Sequence, residues 1–169
     1  MPDVRLVRDL MTIGVPTCPV GTPFVDLARL FLNAGLEAIV VLDREGHAVG
    51  VVGQDELVRA YAYDDWPNLT ADAIMREELV EVPPEIPVTA AAQIMLDRGA
   101  RVAYAMHNSE GMRYPAAMLS YQHLLRYMAA TNDDELADLG VRARRQSPID
   151  VFQAKRDAAR RNAPRHYEE

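Results

Sequence analysis

Side chains that could bind a metal ion or act as nucleophiles are few and scattered in this chain. The four histidines, His47, His107, His123 and His166, do not have the spacing of metal ligands with one another or with Cys18. Cys18 has no adjacent histidine and no Cys-x-x-Cys partner, which is typical of a buried, inert thiol. P-loop, nucleophile-elbow and dinucleotide-binding motifs are missing from the sequence. We therefore predict no metal site, no required cofactor and no enzymatic activity.

The composition is that of a folded, soluble protein. The chain has 169 residues, of which 49% are hydrophobic, and its formal net charge is −7. The apolar content excludes a disordered chain, and no apolar run reaches the roughly 18 residues of a membrane span. A single cysteine excludes an intrachain disulfide, and the first residues do not resemble a secretory signal, so we expect a cytoplasmic protein. The acidic excess lies within residues 1–129 and argues against general nucleic-acid binding.

An internal repeat must position whatever site the chain has. At a spacing of 64, Met11, Pro19, Pro23, Ala28, Leu32 and Gly35 recur as Met75, Pro83, Pro87, Ala92, Leu96 and Gly99. Internal repeats of this kind determine the architecture. We predict three extra residues in the turn of a later hairpin, near His107, which changes the offset to 67 and places Ser120 opposite Gly53. The predicted units are residues 1–66, residues 67–130 and a tail, residues 131–169.

Each repeat predicts the same order of elements. A short helical opening leads to a strand, a proline corner and a helix with apolar residues at helical spacing, which ends at Gly35 or Gly99, both suited to a left-handed cap. Two apolar strands then form a hairpin, and a second helix follows. In the first repeat these elements are an opening at 7–11, a strand near Thr17, a helix from Pro23, strands 38–42 and 48–52, and a helix from Gln54.

This β-α-β-β-α unit resembles a cystathionine-beta-synthase (CBS) domain. The matching stretches are Asp9-Leu10-Met11-Thr12, the Pro23 corner, the run from Gly35 to Asp43 and Gly50-Val51-Val52. Two units in tandem, over about residues 5–129, resemble a Bateman module. The resemblance implies an α+β fold in which two repeats pack as a pseudo-twofold pair. It also implies a regulatory module that binds an adenosine-containing ligand, such as AMP, ADP or ATP, between the repeats and forms a homodimer through its helices.

In that family the last strand closes on Gly-apolar-apolar-Ser/Thr-x-x-Asp. The hydroxyl and the helix N-terminus suit a phosphate, and the carboxylate accepts the ribose hydroxyls. At the hydroxyl and carboxylate positions this chain has Gly53 and Glu56 in the first repeat, and Ser120 and His123 in the second. The resemblance thus implies that both positions of each repeat belong to the ligand site, although neither motif is intact.

A second feature of the family is a basic residue two positions after the glycine that ends the first helix. The second repeat has Arg101 there, and the first has Glu37. The resemblance therefore implies a phosphate pocket that contains Arg101 and Ser120. Apolar walls would hold an adenine, and backbone groups near Thr17 and Glu81 would recognise its edge. The wall residues are Cys18, Ala38 and Ile39 with their equivalents Val82, Val102 and Ala103.

Alternatives stay open at each of these residues. Arg101 could pair with a carboxylate on the surface, and Ser120 could be simply a helix N-cap. The departures at Gly53 and His123 also fit a CBS pair that binds no ligand and serves as a dimerisation scaffold.

The tail offers a third alternative. Asn132-Asp133-Asp134-Glu135 resembles a capping box that opens a helix ending at Gly140, and Ser147 caps a second helix, 148–162. The second helix is basic and amphipathic, which is compatible with nucleic-acid binding. Such a helix more commonly packs on its own core or on a dimer mate.

Overall fold

Two small three-stranded sheets, one for each repeat's hairpin, form the framework of the fold. In the computed structural model, which describes residues 4–138, the first sheet has strand order β2-β3-β4 and the second β1-β6-β5. β2 is parallel to β3, and all other neighbours are antiparallel. The strands are β1 (Thr12–Ile13), β2 (Thr17–Pro19), β3 (Ala38–Leu42), β4 (Ala48–Gly53), β5 (Val102–Ser109) and β6 (Met112–Ser120).

Helices cover these sheets in the predicted order. The first long helix begins after Pro23 and ends at Gly35, whose φ of 59° is the left-handed conformation that a glycine adopts without strain. The helices are α1 (Val7–Leu10), α2 (Phe24–Ala34), α3 (Gln54–Tyr61), α4 (Ala71–Ile74), α5 (Val88–Asp97), α6 (Tyr121–Ala129) and α7 (Asp133–Asp138), with a 3-10 turn at Trp66–Asn68. The α+β class and the two predicted repeats are confirmed.

The opening segments of the two repeats are exchanged. Val7 and Leu10 of α1 are buried in the core of the second repeat, and β1 pairs with β6 at Thr12 and Met118. In return, the backbone of Arg76, just after α4, exchanges hydrogen bonds of 2.8 and 2.9 Å with Val51 of β4. Each repeat therefore supplies part of the other repeat's core. The division of the chain at residue 66 stays a prediction.

A third apolar cluster joins the repeats. It contains Ala38 and Val40 of β3, Val51 of β4, and Val102 and Tyr104 of β5. Successive side chains of a strand point to opposite faces. The residues between them in β3 and β5 are therefore turned into the core of their own repeat. This alternation decides which side chains reach the space between the repeats.

The hairpin of the second repeat differs from the prediction. The three extra residues extend the strands and do not lengthen the turn, which consists of Glu110 and Gly111 with φ of 52° and 81°. Positive φ at both central residues is typical of the two-residue hairpin turn whose twist matches that of the flanking strands. His107 consequently lies in β5 opposite Tyr114, with 5.4 Å between the ring centres, and not in the turn.

The helical extension begins as predicted. The Asn132 side chain accepts a hydrogen bond of 2.8 Å from the Glu135 backbone, and Leu136 of α7 is buried in the core of the second repeat. The predicted helix at 148–162 lies outside the described residues. Among the helices of residues 4–138, none is long and apolar enough to cross a membrane.

Candidate ligand site between the repeats

Two clefts lie between the repeats, related by the internal repeat and unequal in size. The α3 cleft is where the start of α3 faces the second repeat, and its cavity volume is about 20 Å³. The α6 cleft is where the start of α6 faces the first repeat, and its cavity volume is about 360 Å³. The α3 cleft is lined by Glu37, Ala38, Val51, residues 53–56, Arg76, Gly99, Arg101 and Val102, and the α6 cleft by residues 34–38, Met118, Ser120, Gln122, His123 and Arg126.

Two carboxylates of the α3 cleft, Glu56 and Asp55, are paired with arginines. Glu56 is 5% exposed, and its Oε2 accepts a hydrogen bond of 2.9 Å from the backbone N–H of Gly53. Its Oε1 lies 3.3 Å from Nε of Arg76 and 3.8 Å from a guanidinium nitrogen of Arg59. A buried carboxylate needs such partners because desolvation of its charge is costly. Glu56 thus caps α3 and joins the repeats.

Arg101 belongs to the same cleft. Its Nη2 lies 3.3 Å from Oδ1 of Asp55, and both side chains are about half exposed. Its carbonyl oxygen accepts the N–H of Tyr121 at the start of α6. Ser120, which pairs in the sheet with Val102, the residue after Arg101, lines the other cleft. The structure therefore does not build the expected pocket from Arg101 and Ser120, because the two side chains point into different clefts.

The α6 cleft contains a buried Ser-His pair. Ser120 is 1% exposed and His123 is 4% exposed. The Ser120 N–H donates to Nδ1 of His123 at 3.1 Å, and the His123 N–H donates to Oγ of Ser120 at 3.4 Å. Burial lowers the pKa of His123, and the charge of Arg126 lowers it further. The ring is therefore neutral at pH 7, and since Nδ1 accepts a hydrogen bond, the proton is on Nε2.

Arg126 is a residue of this cleft that the sequence analysis missed. It is half-buried on α6, and it makes no ion pair with any of residues 4–138. Ser120, His123 and Arg126 follow one another at steps of three residues, which places them on one face of the helix. That spacing is the signal that could have identified Arg126. Across the cleft, Glu37 is the carboxylate among the described lining residues.

The expected adenine walls are split by the strand alternation. Ala38 and Val102 lie in the cluster that joins the repeats, and both line a cleft. The other wall residues are buried in a repeat core and line neither cleft: Cys18 and Ile39 in the first repeat, Val82 and Ala103 in the second. They differ from the prediction because adjacent strand residues face opposite sides.

The remaining sequence candidates lie elsewhere. Thr17 and Glu81 are exposed and line neither cleft, and Glu81 forms an ion pair with Arg113. The Cys18 thiol has a raised pKa because it is buried, in keeping with an unreactive side chain. Within residues 4–138 there is no group of three metal-binding side chains.

Solved structures resemble this arrangement. A CBS domain pair in complex with 5'-methylthioadenosine and S-adenosyl-L-methionine is similar with a TM-score of 0.66 and 15% identity, over 77% of this chain and 100% of that chain. A CBS-domain containing protein from Agrobacterium tumefaciens is similar with a TM-score of 0.65 and 17% identity, over 75% of this chain and 96% of that chain. At these identities the likeness shows the fold.

Sequence comparisons show the family. The A-adding tRNA nucleotidyltransferase of Geobacter sulfurreducens is 26% identical over 140 residues, which is 81% of this chain, but the chain spans 15% of that protein's length. The family model of the CBS domain matches twice, at residues 7–63 and at residues 71–130. The two matches coincide with the two repeats and cover most of the sequence. The chain belongs to the CBS domain family.

Proposed function

We propose that this chain is a regulatory module that binds an adenosine-containing ligand, such as AMP, ADP or ATP, in the α6 cleft. The observation that carries the proposal is the inequality of the two clefts, about 360 Å³ of cavity against about 20 Å³. A nucleotide needs a concave site with a few well-placed polar groups. The larger cleft provides that volume together with Ser120, His123 and Arg126.

The α3 cleft is a poor receptor for the same ligand. Its buried carboxylate, Glu56, already has the Gly53 N–H and Arg76 as partners, and Arg101 is paired with Asp55. A ligand that entered there would have to break these contacts before making its own. Breaking the Glu56–Arg76 pair, whose arginine is partly exposed, costs about 1–2 kcal/mol. We therefore expect one ligand per chain, in the α6 cleft.

The ligand's parts can be assigned to groups of this cleft. By resemblance to the family motif, the ribose lies against the position of His123 and a phosphate lies near Ser120. The adenine packs on the apolar surface that includes Ala38 and Met118. The similar CBS pair solved with 5'-methylthioadenosine and S-adenosyl-L-methionine supports an adenosine-containing ligand here. Gly53, Glu56, Arg101 and Val102, which line the α3 cleft, remain candidates only for a second, weaker site.

The regulatory part of the proposal follows from where the ligand would sit. The α6 cleft is formed by both repeats, so a bound ligand contacts both. Any difference in its affinity for two arrangements of the repeats shifts their populations, and a partner protein responds to that shift. The role is conformational and requires no catalytic group.

Thermal unfolding in the presence of AMP, ADP, ATP and S-adenosylmethionine tests the proposal. A ligand that binds only the folded protein at 100 times its Kd raises the stability by about 2.7 kcal/mol, or roughly 5–10 °C in a chain of this size. We expect the shift to be smaller in Arg126→Gln, which removes a positive charge of this cleft, and unchanged in Arg101→Gln. Loss of the shift in Arg101→Gln alone would assign the ligand to the α3 cleft. No shift with any of these ligands would overturn the proposal.

We also propose a homodimer, because the two helices that open the clefts carry matching exposed apolar residues. Val58 and Tyr61 of α3 are 72% and 64% exposed, and Leu125 and Met128 of α6 are 59% and 71% exposed. At the offset of 67 these four are equivalent in pairs, so a second copy could cover the exposed apolar residues of both helices in the same way. If no ligand binds, this surface favours the dimerisation scaffold as the function. Light scattering should give twice the chain mass for the native protein. The double variant Val58→Glu, Leu125→Glu should give the mass of a single chain.

A further inference from the structure

We infer that the ligand of the α6 cleft carries a phosphate on the 2' or 3' oxygen of its ribose, and that His123 and Arg126 select it. The inference rests on the proposed function, which places the ribose of an adenosine-containing ligand against α6. It adds one chemical group, the 2' or 3' phosphate, by which the site would distinguish its ligand from a nucleotide with two free ribose hydroxyls.

His123 presents a hydrogen-bond donor to the ribose. Its Nδ1 accepts the Ser120 N–H, so the neutral ring offers an N–H at Nε2. Nε2 forms no hydrogen bond with the described residues, and His123 is 96% buried while it lines the cleft. A ribose hydroxyl or a phosphate oxygen can accept this N–H, and the charged phosphate oxygen makes the stronger hydrogen bond.

Arg126 adds a positive charge beside this donor. Three residues of helix correspond to a rise of about 4.5 Å, so the guanidinium and the imidazole of residues 126 and 123 can contact the same anionic group. Within residues 4–138 no carboxylate pairs with Arg126, although the other cleft arginines, Arg76 and Arg101, each have one. Arginine suits phosphate because its planar fork makes two parallel charge-assisted hydrogen bonds.

The first turn of α6 is a weaker phosphate receptor than Arg126. The N–H of Tyr121 donates to the Arg101 carbonyl and the N–H of His123 donates to Ser120 Oγ. Two of the helix's free N–H groups are thus already used, which reduces what the N-terminus can offer an anion. The positive charge of this wall therefore lies one turn further along, on Arg126.

The carboxylate of this cleft, Glu37, lies on the opposite wall. It belongs to the segment at residues 34–38 of the first repeat, and α6 belongs to the second. The equivalent of His123 in the first repeat is Glu56, an acceptor that is engaged by Gly53 and Arg76. On the α6 wall, His123 therefore offers a hydrogen-bond donor and Arg126 a positive charge. Both are groups that bind a phosphate.

Two pairs of nucleotides, each differing by one phosphate, test the inference by titration calorimetry. NADP differs from NAD by a 2'-phosphate, and adenosine 3',5'-bisphosphate differs from AMP by a 3'-phosphate. We expect the added phosphate to tighten binding about 10- to 100-fold in at least one pair, which also distinguishes the 2' from the 3' position. The gain should disappear in Arg126→Gln. The control is Arg59→Gln, the same substitution at the equivalent position of α3, which should keep it.

A variant of His123 tests the donor. His123→Asp replaces the N–H by a carboxylate, so it should weaken binding of the phosphorylated member and reverse the preference within the pair. If the native protein binds NADP no more tightly than NAD, and adenosine 3',5'-bisphosphate no more tightly than AMP, the inference is overturned and the proposed function stands. Absence of binding by all four nucleotides overturns the proposed function and the inference with it.

Discussion

Replacement of Glu56 by alanine should destabilise the contact between the two repeats. The substitution removes the acceptor of the Gly53 N–H and the nearest partner of the Arg76 guanidinium. Loss of the cap costs about 1 kcal/mol. Breaking a buried ion pair costs about 3–5 kcal/mol. Since the Arg76 side chain is 37% exposed and recovers part of its hydration, about 1–2 kcal/mol remains for this pair. We expect a total loss of about 2–3 kcal/mol.

Urea unfolding measures this loss. For a slope of about 2 kcal/mol per molar urea, the midpoint should fall by roughly 1–1.5 M with the slope unchanged. Glu56→Gln keeps an oxygen for the Gly53 N–H but loses the charge, so it should fall between the native protein and the alanine variant. Asp55→Asn is the matched control, because the Asp55 ion pair with Arg101 is exposed and worth about 0–1 kcal/mol.

A double-mutant cycle isolates the pair itself. Glu56→Gln and Arg76→Met should show a coupling energy of about 1 kcal/mol or more, because each single change leaves the other charge without its partner. A loss below about 0.5 kcal/mol for Glu56→Ala, or additivity in the cycle, would refute the reasoning that this pair joins the repeats. Retained stability together with loss of nucleotide binding would instead make Glu56 a ligand contact.

Three further predictions concern single residues. Gly50→Ala should lower the stability by about 1–3 kcal/mol in urea unfolding, since a Cβ there would lie 2.8 Å from the Arg76 carbonyl oxygen; an unchanged midpoint would contradict this. Tyr104→Phe should keep or raise the melting temperature, because the hydroxyl is buried without a hydrogen-bond partner among residues 4–138; a clear loss would show that it has one. Because burial lowers the pKa of His123 in the folded state, the unfolded chain takes up its proton first, and the stability conferred by the neutral ring should decline as the pH falls below about 6.5. His123→Gln should flatten this decline in stability between pH 7 and pH 5, and equal slopes would refute the assignment.

Local features of this protein could be predicted from its sequence because they are encoded by neighbouring residues. The apolar residues after Pro23 recur at helical spacing, and Gly35 ends that helix in the left-handed conformation. The apolar runs of the hairpins predict strands, and Ser120 caps α6 as its residue type favours. The repeat itself identified the fold, since the same ordered elements occur twice.

The clefts depended on contacts between residues far apart in the chain. Two similar repeats do not specify whether an opening segment packs on its own sheet or on the other, and here α1 and β1 pack on the second repeat. The same exchange brings Arg76 to Glu56, so a carboxylate expected to bind ligand is instead paired within the protein.

Tertiary structure also decided which way each candidate side chain points. Ala38 reaches the space between the repeats and Ile39 does not, because a strand turns alternate residues to opposite faces and only the packing of the sheets decides which face meets the other repeat. Arg101, just before β5, and Ser120, which pairs with the next residue Val102, line two different clefts. The sequence by itself determined the repeats, their elements and the residue types available to a site. The packing of the repeats decided which of those residues share one cleft. This packing brings together residues that are too far apart in the chain for a local sequence pattern to predict their contact.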